Sequence, residues 1–261
     1  QLALENQDFD GASKAYRQAV AQGQFSRFKD PETNLGLAQA LISRGGERGL
    51  DARTRVEINT TLSEVAKEHT NDAGLQVRAR LMKATSVASS DPEMAAKLTE
   101  QAMARLDGME QFLSADAALA VASQLKQLGQ EAAGAGILKS CAEIYGDDPA
   151  VMQNIARQTD DPEILGAGKA AIDLNLQGIR SYRAGKLGEA QDLFRQGLAL
   201  QPKNISIALN MAQSLLHMGV QNLDAASLKE CQNSLKMVGK MPDTDPRYDR
   251  YQKLRLRAFG E

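Results

Sequence analysis

The sequence predicts an all-α protein, a stack of antiparallel helix pairs. Three observations carry that expectation. Apolar residues recur at spacings of three and four nearly end to end, and strict alternation is rare. The breaks between these segments are short and hold helix-start and helix-stop residues, so consecutive helices must fold back on each other. Aromatic residues make up only 4% of the chain and tryptophan is absent. A core drawn from Ala, Leu, Ile, Val and Met favours close helix–helix packing and disfavours a β-sandwich.

About fourteen helices are expected on this spacing. They cover 1–6, 9–22, 31–44, 50–68, 72–88, 92–111, 114–128, 131–145, 149–157, 162–184, 187–200, 204–218, 222–239 and 246–258. Leu37, Ala40 and Leu41 line one face of 31–44, with Arg44 at its polar end. Val56, Leu62, Val65 and Ala66 mark a face of 50–68, and Met94, Leu98, Ala102 and Leu106 a face of 92–111. Four helices open on an Asp-Pro pair: Asp30-Pro31, Asp91-Pro92, Asp148-Pro149 and Asp161-Pro162. The aspartate caps the helix and the proline takes the first helical position, where its missing N–H costs nothing. Asn204 is read as a further N-cap. Gly45-Gly46, Gly129, Gly185 and Gly219 are placed at helix ends. No linker is long enough to separate independent domains, so residues 1–261 are read as one helical repeat domain.

A hydrophobic fraction of 43% with 25% charged residues belongs to a folded chain, not a disordered one. The 31 basic and 33 acidic residues leave a formal charge of −2, which implies no bulk attraction to nucleic acid or an anionic membrane. No apolar run approaches the roughly 20 residues of a spanning helix. The chain opens at Gln1 inside a helical pattern without a signal-peptide signature. It is read as a fragment of a longer, cytoplasmic chain. Cys141 and Cys231 sit far apart among apolar neighbours, as buried small hydrophobes and not a disulfide. With His69 and His217 they make no zinc spacing, and no metal or cofactor is expected.

The clearest internal unit is 171–204, AIDLNLQGIRSYRAGKLGEAQDLFRQGLALQPKN. Small residues stand at the positions where its two helices must approach each other or their neighbours (Gly178, Ala190, Gly197). Gly185 stands at the turn, Phe194 is the bulky residue that fills the gap, and Pro202 ends the second helix. This unit resembles the tetratricopeptide repeat, although Leu174 replaces the family's aromatic and its tyrosine is shifted to Tyr182. Weaker copies are read at 1–24, 115–149 and 205–239, while 50–112 keeps helix pairs without the signature residues. The resemblance implies a right-handed superhelical solenoid. It also implies a protein or peptide ligand in the concave groove lined by the first helix of each pair.

On that reading the groove candidates are Asn175, Ile179, Tyr182 and Arg183 on one repeat, and Ser206, Leu209, Asn210, Gln213 and His217 on the next. Asparagine and glutamine can bond a ligand backbone without fixing its sequence, and Tyr182 offers an aromatic anchor. One family subtype clamps a C-terminal carboxylate with lysine and asparagine. Its lysines are missing here, which argues against a chaperone-tail clamp. The stretch 175–216 further resembles the C-terminal repeat region of bacterial response regulators with an N-terminal receiver domain. That likeness implies the output module of a two-component system, with a receiver domain in the same chain. Two other readings stay open: an accessory helical domain of an enzyme, and a self-assembling repeat protein.

The last helix concentrates Arg247, Arg250, Lys253, Arg255 and Arg257. It is read as a capping helix with a solvated basic face, the alternative being a docking surface for an acidic partner or a receiver domain. Leu165-Gly166-Ala167-Gly168-Lys169 lacks the glycine spacing and the hydroxyl residue of a phosphate loop. Gly134-Ala135-Gly136 lacks a third glycine and a preceding strand. The triplets at Asn59 and Asn204 are taken as chance matches to a glycosylation site. Asp147-Asp148 and Asp160-Asp161 lie at helix starts, where they complement the helix dipole. No catalytic constellation stands out, and the chain is not expected to be an enzyme.

Overall fold

The structure, a computed structural model, describes residues 7–23, 30–46, 49–107, 113–239, 241 and 245–260. Among them there are 13 α-helices and no strand. In chain order these are α1 (Phe9–Gly23), α2 (Pro31–Gly45), α3 (Ala52–Glu68), α4 (Ala73–Val87), α5 (Pro92–Leu106), α6 (Ala115–Gln127), α7 (Glu131–Tyr145), α8 (Pro149–Ala156), α9 (Pro162–Arg183), α10 (Leu187–Leu200), α11 (Ile205–Asn222), α12 (Ala225–Val238) and α13 (Tyr248–Phe259). The helix expected over 1–6 lies outside the described residues.

The four Asp-Pro starts form as their chemistry dictates. The carboxylates of Asp30, Asp91, Asp148 and Asp161 accept from Glu32, Met94, Ala150 and Glu163 N–H groups, and each following proline opens its helix. Two of the glycine stops share one geometry. After α6, Gly129 at φ 74° donates to Lys126 O and Gln130 donates to Leu125 O. After α9, Gly185 at φ 76° donates to Tyr182 O and Lys186 donates to Ser181 O. This paired capping needs a left-handed residue, which glycine adopts without penalty.

Gly219 is different. It does not end its helix, which runs on to Asn222 and closes at Leu223 in the left-handed region. A Cβ on Gly219 would stand 3.2 Å from Leu228 N and 3.3 Å from Asp224 O. The glycine therefore makes room for the start of α12. Two other expectations shift as well. Val56 is exposed, and Ile58 takes its place beside Leu62 and Val65 on the buried face of α3. Met94 is exposed, with Ala95 and Thr99 buried instead. The helix expected to reach 111 ends at Leu106, with Asp107 outside helical geometry; residues 108–111 lie outside the described residues.

The chain divides into two compact units, 1–134 and 135–261. In the first, each of α1 to α4 packs on the next helix, and α2 also touches α4, which touches α6. Its core gathers Leu35, Leu37 and Leu41 from α2, Ile58, Leu62 and Val65 from α3, and Leu75, Ala79 and Met82 from α4. Ion pairs join alternate helices at its surface: Arg17 of α1 with Glu57 of α3, and Arg78 of α4 with Glu32 of α2.

In the second unit α9 to α13 also pack in sequence, while α11 touches both α9 and α13. The three alternate helices therefore lie side by side, backed by α10 and α12. Phe194 of α10, only 1% exposed, occupies the space left by the missing side chain of Gly178 on α9; a Cβ there would stand 2.5 Å from its ring. Burying that ring contributes about 2–3 kcal/mol. Two pairs joining alternate helices have the same sequence separation of 35 residues: Asn175 with Asn210, and Arg195 with Glu230.

These glycines support a paired prediction. Gly178→Ala drives a methyl group into Phe194 and lowers stability by about 1–3 kcal/mol. Gly136→Ala enters open space inside α7 and raises stability by about 0.5–1 kcal/mol. Urea unfolding of the two variants checks both signs; equal stability of the Gly178 variant and the parent would contradict the packing.

Candidate functional site

The residues singled out on α9 and α11 meet those of α13 in one polar cluster. Asn210 Nδ2 donates to Asn175 Oδ1 at 2.7 Å. Arg250 Nη2 donates to Asn210 Oδ1 at 2.7 Å and to Gln213 Oε1 at 2.7 Å. Gln213 Nε2 reaches toward the Tyr182 hydroxyl at 3.4 Å, the outer limit of a hydrogen bond. Tyr182 and His217 stand edge to face with ring centroids 5.8 Å apart. His217 Nδ1 is buried without a hydrogen-bond partner in the protein. Ser206, Asn210, Gln213 and His217 follow one another at helical spacing, so the sequence puts them on one stripe of α11.

Arg247 organises one end of the stripe. Its guanidinium grips the Asp245 carboxylate through Nε at 2.9 Å and Nη2 at 2.7 Å, while Nη1 donates to Ser206 Oγ at 3.2 Å. It lies 4.8 Å from the centroid of the Tyr145 ring, a cation over an aromatic face. Burial pushes the Asp245 carboxyl up, and its bonds to Arg247 more than reverse this, so it sits below its ordinary value. Burial dominates at Tyr145, whose hydroxyl is pushed up to about 12.

Not every candidate joins the cluster. Leu209 is fully buried and belongs to the core, because it turns inward from the stripe that carries its neighbours. Ile179 is half-buried, and Arg183 is exposed at the end of α9. The basic residues of α13 do not form one solvated face. Lys253 and Arg257 are exposed, Arg255 lies near the Tyr251 and Phe259 rings, and Arg247 and Arg250 turn toward α11. Part of the groove set (Asn175, Ser206, Asn210 and Gln213) and two arginines of the basic set (Arg247 and Arg250), read separately from sequence, thus meet in one polar cluster. No sequence signal joins them, since the contacts span separations of about 40 residues with the whole of α12 in between. Among the described residues no group of His, Cys, Asp and Glu could hold a metal ion, and no helix is long and apolar enough to cross a membrane.

The Arg247–Asp245 pair yields a pH prediction. A carboxyl held below its ordinary value contributes stability above the unfolded-state value of 3.8, and that contribution is lost as pH falls through the lower folded value. Asp245→Asn leaves Arg247 without its counter-charge and costs about 3 kcal/mol at neutral pH. Once the pH is below the lowered folded value the parent carboxyl is itself neutral, so the two proteins should converge in acid. Denaturant unfolding at both pH values tests this; a difference that persists in acid would assign the effect to shape rather than charge.

Compared with known protein families, with curated proteins and with solved structures, the chain gives no match in any of the three.

Proposed function

We propose that the chain is a protein-interaction scaffold of the tetratricopeptide kind, and that the stripe shared by α9, α11 and α13 binds a segment of a partner protein. The observation that carries this reading is the ladder Asn175–Asn210–Arg250, one polar side chain from each of three neighbouring helices. The common separation of 35 residues between the Asn175–Asn210 and Arg195–Glu230 pairs supports a repeat of that length. So does the seating of Phe194 against Gly178.

The ladder has the chemistry of a recognition surface. A side-chain amide has two donors and two acceptor positions, and the half-buried Asn210 and Gln213 leave part of that capacity open to a ligand backbone. Tyr182 adds an amphipathic ring with a polar tip. Because the helices already hold these groups in place, a ligand loses little binding energy to ordering the receptor.

The test is selection of peptides from a random display library on the intact chain. It is followed by affinity measurement against a Tyr182→Ala, Asn210→Ala variant of matched stability. Selected peptides should bind the variant at least tenfold more weakly, as expected when central polar and aromatic anchors are removed. Equal affinity for the two proteins would place the binding surface elsewhere.

A further inference from the structure

Arg250 holds a charge that its surroundings do not match. Its two observed acceptors, Asn210 Oδ1 and Gln213 Oε1, are neutral amide oxygens that orient the guanidinium through Nη2. Among the described residues no carboxylate pairs with it, and the N–H groups of Nη1 and Nε are left over. The neighbouring Arg247 differs on this point, because Asp245 neutralises it. Among the described residues the stripe therefore presents one net positive charge, in a setting dry enough that burial lowers the Arg250 pKa from its ordinary value. A cation partly removed from water and left without a counter-charge is costly, and an arriving anion relieves that cost. Arg250 remains half-exposed, so a ligand can reach it.

The neighbours indicate what kind of anion. One unmatched charge suits a singly charged carboxylate better than a doubly charged phosphate. Gln213 Oε1 stays on Arg250, but its Nε2 makes only the long 3.4 Å contact to Tyr182 Oη and can donate to a ligand oxygen, and the Tyr182 hydroxyl can donate a further bond. Polar groups continue on both sides of Arg250 along α11, from Ser206 to His217. That arrangement suits a chain passing through, with a side chain dipping to the cation at its middle, and not a chain that stops there.

We propose that Arg250, with Gln213 and Tyr182, is the receptor for one acidic side chain, aspartate or glutamate, of an extended partner segment lying along α11. This inference rests on the binding reading of the preceding subsection and names the chemistry of its ligand.

The experiment titrates the whole chain with a capped glycine pentapeptide carrying one central glutamate, followed by NMR at the Arg250 Nε–H and Gln213 Nε2 signals. Controls are the same peptide with glutamine, an all-glycine peptide with a free C-terminal carboxylate, and inorganic phosphate. The glutamate peptide should give saturable shifts, with affinity about tenfold or more above the glutamine peptide. Arg250→Gln, which keeps an amide donor but no charge, should abolish the preference without changing the melting temperature, and Arg250→Lys should restore part of it. If Arg250→Gln melts early, the glutamine peptide and Arg250→Lys decide the question. Equal affinity of the glutamate and glutamine peptides overturns the proposal, as does a tighter response to the free terminus or to phosphate. Silence from the glutamate peptide, while display-selected peptides still need Tyr182 and Asn210, removes the acidic-side-chain receptor and leaves the binding surface standing. Silence together with equal peptide binding to both proteins removes the two readings at once.

Discussion

The second unit depends on one steric contact, the seating of the Phe194 ring in the space where Gly178 has no side chain. Any larger residue at 178 would lift α10 off α9 by roughly the width of a methyl group, and interiors packed to crystal density transmit such a shift. Gly197 extends the same logic, since a Cβ there would stand 3.1 Å from Ile207 of α11. Small residues on successive helices set how near each helix lies to the next. Because α9 and α10 are close, and α10 and α11 are close, α11 is brought alongside α9. Only then can Asn210 reach Asn175 across 35 residues of chain.

The same packing explains why the polar stripe can exist. Leu209, Ala212 and Leu216 of α11 are buried at its back, and residues at positions 206, 210, 213 and 217 are forced to the other side by helical geometry. Tyr251, Leu254 and Ala258 anchor α13 by its apolar side, and the Tyr251 hydroxyl donates to Gly239 O at 2.6 Å. Fixing that side leaves Arg247 and Arg250, on the adjoining flank, no direction except toward α11. Hydrophobic burial thus decides where the charges go, and the hydrogen bonds of the cluster then select single rotamers for side chains that would otherwise be mobile.

Arg247 and Arg250 show how three residues of separation produce different electrostatics. Arg247 meets an aspartate, a serine hydroxyl and an aromatic face, and its charge is matched. Arg250, one turn on, meets among the described residues two amide oxygens and the Tyr182 phenol, and no carboxylate. A buried, matched pair serves mainly to hold geometry, because removal of either partner strands the other. A half-exposed cation held only by neutral acceptors keeps part of its desolvation cost uncompensated.

Helix positions were legible in the sequence because their causes are local. An aspartate before a proline satisfies the orphan N–H groups of a helix start whatever lies around it, so all four such starts form as read. Gly129 and Gly185 act through their own backbone angles, again a local property. Gly219 was misjudged because its reason is not local: the helix ends at Leu223 instead, and the glycine is there for Leu228 of the next helix. Val56 and Met94 were placed on buried faces by spacing, yet spacing selects a stripe only to within one residue either way. The sequence by itself determined the helical class and the capping of its elements, and it singled out the polar residues of α11 that share one stripe. The tertiary structure alone decided that α13 faces α11, that Leu209 is core, and that among the described residues Arg250 meets amide oxygens and no carboxylate. Those facts depend on which side of each helix the hydrophobic effect covers, and it acts on surfaces that meet only when distant parts of the chain are packed together.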